Sequence, residues 1–349
     1  MVWLRINRFF QWMTLLGCLG SQHMFAHSAE VVRDVCVVIS AQGEAEYGEA
    51  FRDWGRRWEE ALHIESSSQS TRFMLIDGSS KRDSETTANT EDRDQLLKWI
   101  GQPPVSEGLQ TASERWLVLI GHGTYEPSKE SSGAKFNLRG GDLSPEMLSN
   151  ALKDKSSETQ PPTCWIIVNC SSCSGPFLTA LSAPNRILIT ATKSGSEQNF
   201  SRFGDYFSQA ISDPKADLDH DKSISILEAF LIAGNKTEMF YKDDGRLASE
   251  QSLLDDNGDK RGTPASFFQG TRPLKVPALN LQPDGLQAKR IILATLTDAD
   301  VLIESQRIEV DLIENKIETL RSRKTELASE EYYKELQALI REIAKIRFP

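Results

Sequence analysis

The sequence predicts an α/β fold with a mainly parallel sheet flanked by helices, and three observations carry that prediction. Trp116-Leu117-Val118-Leu119-Ile120 and Trp165-Ile166-Ile167-Val168 are unbroken apolar runs, the mark of strands covered on both faces. Strand-like and helix-like segments alternate from Val35 to Ile211, which favours a layered α/β arrangement. Each apolar run ends in a small polar turn, Gly121-His122-Gly123 after the first and Asn169-Cys170-Ser171-Ser172-Cys173-Ser174-Gly175 after the second. In parallel sheets chemistry collects beyond the carboxyl ends of the strands. An imidazole at one tip and thiols and hydroxyls at the other is the layout of a His-assisted nucleophile.

The elements follow in order. Val35 to Ile39 reads as the first strand. Phe51, Trp54, Trp58, Ala61 and Leu62 fall at helical spacing between Glu49 and Leu62, an apolar stripe for a core-facing helix. Phe73 to Ile76 is a second strand, and Ser79 to Asp92 is a polar loop. Asp94 to Ile100 is a short helix stopped by Gly101 and Pro103-Pro104. Trp116 to Ile120 is strand three. Ser144 caps a helix from Pro145 to Leu152, with proline at its first position. Trp165 to Val168 is strand four, Gly175-Pro176 opens a helix through Leu181, Arg186 to Thr192 is strand five, and Phe203 to Ile211 is helical.

The stretch from Pro273 carries three prolines and little periodicity, so residues 273–296 read as a linker. Beyond it, Asp298 to Leu327 and Glu330 to Arg347 carry apolar stripes, including Ile313, Ile317 and Leu320, then Leu336, Leu339 and Ile343. They predict a helical hairpin over 297–349, broken at Ala328-Ser329 with Ser329 as cap, and a surface for self-association.

With 349 residues and 39% hydrophobic content the chain can bury a sizeable core. A net charge of −10 leaves no basic footprint for nucleic acid. Arg5 and Arg8 precede the apolar run Phe9 to Leu19, and small residues follow at Ala26-His27-Ser28-Ala29. Residues 1–29 therefore read as a signal peptide of an exported, periplasmic or secreted protein. Leu15-Leu16-Gly17-Cys18 is an imperfect lipoprotein box, so membrane attachment is expected only if Cys18 is lipidated. Four cysteines remain after export, too few for a disulfide scaffold in a chain of this size.

The strand followed by His122-Gly123, then a second strand with a Cys/Ser turn ending in Ser174-Gly175 about fifty residues later, resembles the caspase-like cysteine peptidases, nearest in flavour to legumain and the metacaspases. The resemblance covers residues 33 to 270, giving a caspase-like domain over 30–272. It implies that His122 activates a nucleophile for hydrolysis of a peptide or protein substrate. Placing the family's Ser-Gly on Ser174-Gly175 puts the nucleophile on Ser172; counting from the strand end puts it on Ser171. Cys170 and Cys173 flank both registers. A thiol beside an imidazole needs only that imidazole, so Cys173 and Cys170 are candidates with Ser172; a serine needs a third group to orient the histidine. The alternative is a catalytically inactive binding or assembly module on the same fold, with Cys170 and Cys173 either idle or paired.

Asp217-Leu218-Asp219-His220-Asp221-Lys222-Ser223-Ile224-Ser225-Ile226-Leu227-Glu228 matches the EF-hand calcium loop. Oxygen donors Asp217, Asp219, Asp221, Ser223, Ser225 and Glu228 fall at positions one, three, five, seven, nine and twelve, and Lys222 stands where the loop normally has glycine. Asp255, Asn257 and Asp259 alternate in the same way but no carboxylate follows at position twelve. Structural calcium is expected in the first loop, with the second as another site or a contributor to it.

Overall fold

The computed structural model describes residues 32–64, 71–79, 91–103, 113–127, 133–153, 163–274, 282–296, 302 and 304–348. The expected signal peptide, Cys18 and most of the loop from Ser79 to Asp92 lie outside them.

Five strands run parallel in the order β2-β1-β3-β6-β7: β1 (Val32–Ile39), β2 (Thr71–Asp77), β3 (Ser113–Ile120), β6 (Thr163–Asn169) and β7 (Arg186–Thr190). A sixth, β9 (Leu253–Asp255), closes the edge antiparallel to β7. This is the mainly parallel α/β sheet the sequence predicts. The strand β9 and the antiparallel pair β4 (Gly123–Tyr125) with β5 (Ala134–Phe136) were not expected, being only three residues each. Segments that short carry no periodicity to read.

Alternate strand residues point to opposite faces, and two apolar cores result. Val35, Val37, Trp116, Val118, Ile166 and Ile189 face one way, under α1 (Ala45–Ile64), α5 (Phe203–Ala210) and α6 (Ile226–Asp243). Cys36, Val38, Leu117, Leu119, Ile167 and Leu188 face the other, under α2 (Asp92–Gly101), α3 (Pro145–Lys153) and α4 (Gly175–Leu181). The aromatic stripe Phe51, Trp54 and Trp58 is buried in the first core. Ser144 accepts from the Met147 N–H and caps α3, with Pro145 first in the helix.

At the amino end of the sheet lies a buried polar cluster. The Arg115 guanidinium is 3.1 Å from Asp34 and donates to the carbonyls of Trp99, Ile100 and Gln102. It lies over the rings of Trp99 and Trp165, at 4.4 and 4.6 Å from their centroids. Asp34 also receives Arg72 and the Trp99 indole N–H.

Of the stretch expected to be a linker, residues 275–281 lie outside the described residues. Its 282–296 part is built into the body: β12 (Ile292–Thr295) pairs antiparallel with β8 (Ser223–Ser225), and Arg33 donates to the Ile292 carbonyl. Pro283 and the short strand gave no periodicity, so sequence read the segment as loose. A two-residue hairpin, β10 (Phe268–Gln269) with β11 (Arg272–Pro273), precedes it. The helical hairpin is present as α7 (Glu304–Ser322) and α8 (Ser329–Arg347); the cap of α8 is Ala328, and Ser329 is its first residue. No helix among the described residues is long and apolar enough to cross a membrane.

Candidate active site and acidic loops

The strands β3 and β6 are hydrogen-bonded neighbours, so the two polar turns finish side by side. The first leaves β3 through Gly121, whose φ of +134° and close approach to Ser40 exclude a side chain. The His122 N–H then bonds the Ser40 hydroxyl, and the His122 carbonyl accepts from Asn137. The imidazole is half-buried, edge-on to Phe51 and Tyr47 at 4.9 and 5.0 Å between centroids. This apolar setting lowers its pKa, while a hydrogen bond to the Gln42 backbone raises it. Sequence offered no carboxylate to orient the ring.

The second turn brings the candidate nucleophiles next to His122-Gly123 but withdraws each of them. Cys170 is buried in the first core, against Gly204 and Trp54, and burial pushes its thiol up to about 12. Ser171 is fully buried, and its hydroxyl and N–H both bond the Asn169 side chain. The Ser172 hydroxyl accepts from the Gly123 N–H at 3.3 Å and donates to the Gly123 carbonyl at 3.1 Å. The Cys173 thiol faces the same carbonyl at 3.7 Å, and burial pushes it up to about 11, partly offset by Ser172. Its N–H is taken by the Glu197 carbonyl. Both cysteines are free; they face different surroundings, so the pairing left open by sequence is not made. Among the described residues no hydrogen bond joins the His122 ring to any of these four side chains. Ser174 is structural: its hydroxyl bonds Thr192, which also receives the Gly175 N–H.

The two tips touch through backbone. A Cβ on Gly123 would lie 2.1 Å from the Ser172 carbonyl oxygen, an approach only glycine allows. Gly123→Ala is therefore expected to destabilise the fold by on the order of 2–3 kcal/mol, through overpacking against main chain. A denaturant midpoint equal to wild type would show that the turns do not meet so closely.

The first acidic loop lies between α5 and α6. Carboxylate oxygens of Asp217, Asp219 and Asp221 converge within 4.8 Å of one another. Lys222 has a φ of +69°, the left-handed conformation for which the sequence pattern has glycine. Asp221 accepts from the Ser223 N–H and hydroxyl. Glu228 Oε1 accepts from the Leu218 and Asp219 N–H groups, and its Oε2 from the N–H and hydroxyl of Ser225. Burial, then Asp219, raises Glu228 to about 7.

The second loop repeats this geometry. Lys260 has a φ of +68°, and Asp255 accepts from the Lys260 N–H as Asp217 does from Lys222. Asn257 and Asp259 each accept from the N–H two residues on. The carboxylate missing at position twelve comes from elsewhere in the chain. Asp284 accepts from the Asp256 N–H with one oxygen and the Thr263 hydroxyl with the other, the counterparts of the Leu218 and Ser225 bonds to Glu228. It is buried and raised to about 7, chiefly by burial. Sequence missed it because it lies 25 residues beyond Asp259, in the stretch read as linker. The carboxylates of the second loop do not converge as those of the first do, among the described residues.

No family model matches the chain, and no curated protein matches it. Among solved structures, the crystal structure of the Drosophila initiator caspase Dronc is similar to it at 10% identity and a TM-score of 0.35, over 74% of this chain and 95% of that one.

Proposed function

We propose that the chain is an exported, caspase-like domain that binds or assembles rather than cleaves, braced by calcium. The observation that carries this is the state of the second turn. A nucleophile must be accessible and either ionised or bonded to its base. Here both thiols are buried and held protonated, and both hydroxyls are committed to Asn169 or Gly123. The Gly123 and Cys173 N–H groups, the natural donors to an oxyanion, are occupied as well. Calcium is supported by the converging carboxylates and the EF-hand spacing of the first loop, with Asp284 completing the pattern of the second. Assembly is supported by apolar side chains left exposed on the hairpin: Ile308, Leu312, Tyr333 and Ile340 are each more than half exposed. A fluorogenic peptide panel with calcium tests the central point. The expected result is no hydrolysis that His122→Ala removes; turnover lost in that variant would overturn the reading.

One observation favours a second reading, a His-assisted peptidase: the imidazole stands beside a Cys/Ser turn. On that reading Cys173 or Ser172 would have to rotate off the Gly123 carbonyl before attack.

A further inference from the structure

The α7–α8 hairpin is closed along one seam and open along another. Val310, Ile313, Ile317 and Leu320 of α7 are buried, as is Tyr332 of α8. Beside that seam an open groove of about 570 Å³ lies between the two helices. Leu320, Ala338 and Leu339 form its apolar floor, with Leu312 and Thr319 along the α7 side. Leu312 is 57% exposed, and Ile308, one turn earlier, is 51% exposed. An apolar trough between two helices takes a further amphipathic helix.

The charges identify that helix. The α7 wall of the groove carries Lys316 and Arg323, and the α8 wall carries Glu335. Glu331 and Glu342, four residues before and seven after Glu335, continue the acidic wall at helical spacing. Lys316, Glu331, Glu335 and Glu342 are exposed, and among the described residues none of the four takes part in an ion pair. At the far end both signs invert together, with Glu309 seven residues before Lys316 on α7 and Lys345 three residues after Glu342 on α8.

A two-fold axis parallel to the hairpin carries each residue to its own height on a second copy and exchanges left for right. The second copy's α7 then lies over α8 of the first, antiparallel to it, and its α8 over α7. Each basic wall meets an acidic wall, and the two apolar floors face each other. An isologous interface must be self-complementary in this way. A helix of 19 residues is about 28 Å long. Two such helices side by side cover roughly 550 Å² on each copy, about 1,100 Å² in total, at the lower end of specific interfaces.

We propose that the chain forms a two-fold dimer through this groove, the two hairpins joining as an antiparallel four-helix bundle. This rests on the binding-and-assembly reading above and names the partner as a second copy of the chain.

The test is sedimentation equilibrium of the full chain. Wild type is expected to be dimeric at about 10 µM. Leu312→Asp should weaken the dimer at least roughly tenfold by placing a charge on the buried floor. Lys316→Glu alone and Glu335→Lys alone each set like charges on facing walls, and each should dimerise roughly tenfold more weakly. Mixed in equal amounts, the two variants should recover wild-type affinity, because a heterodimer pairs opposite signs at both places. Contacts within one hairpin do not change on mixing, so the recovery reads the contact between copies. A wild-type monomer at about 200 µM, a dimer that Leu312→Asp leaves intact, or a mixture no tighter than its parts would overturn the proposal. Those outcomes leave the non-catalytic reading standing, which the His122→Ala comparison decides by itself.

Discussion

Replacing Arg115 by methionine is expected to cost about 3–5 kcal/mol, the usual penalty for breaking a buried ion pair from one side. Methionine fills much of the volume but returns none of the polar contacts. The carbonyls of Trp99, Ile100 and Gln102 lose their donor at the end of α2, and Asp34 keeps only Arg72 and the Trp99 indole. The stacking of a guanidinium over Trp99 and Trp165 is lost too. Burial pulls the Arg115 pKa down and Asp34 opposes that, so the charge there is held by its partner. For a body of this size the thermal midpoint should fall by roughly 10 °C. Asp34→Asn combined with Arg115→Met should cost less than the sum of the two. A midpoint within about 2 °C of wild type would mean the cluster is not a stabilising element.

Calcium is expected to stabilise the protein more at pH 7.5 than at pH 5. Burial raises Glu228 and Asp284 to about 7 in the cation-free fold, against roughly 4 for such carboxyls in an unfolded chain. Between about pH 4 and 7 the folded state therefore holds protons that the unfolded chain has released, and cation-free stability falls as pH rises through that window. A cation needs the same carboxylates ionised, so its contribution grows as theirs is lost. In chelator the thermal midpoint should drop from pH 5 to pH 7.5. Millimolar calcium should restore it by roughly 5 °C at pH 7.5 and by little at pH 5. An equal calcium shift at both pH values, or none at pH 7.5, would remove both loops as cation sites.

The central strands were legible because they are long and apolar on both faces: Trp116 to Ile120 and Trp165 to Val168 sit inside β3 and β6. The helix α4 runs from Gly175 to Leu181 as read, since Gly-Pro and the following apolar residues mark its start. Strand limits were underestimated where polar residues are buried by pairing, as with Glu114 and Arg115 in β3. The adjacency of His122 to the Cys/Ser turn followed from topology. What the turn does with its side chains did not, because a hydroxyl's choice between Gly123 and solvent is a matter of tertiary packing. Asp284 was missed because it is remote in sequence from the loop it bonds.

The pairing of β8 with β12 has a consequence for how the molecule is made. The strands of the parallel sheet are all synthesised by Thr190, yet β8 finds its partner only when Ile292 to Thr295 appear, roughly 70 residues after Ser225. At about 5–20 residues per second that interval is roughly 4–14 s. Throughout it the nascent chain carries an unpaired strand and an Arg33 with no Ile292 carbonyl to meet. Completion of the body therefore waits on a segment made well after the strands of the sheet it braces.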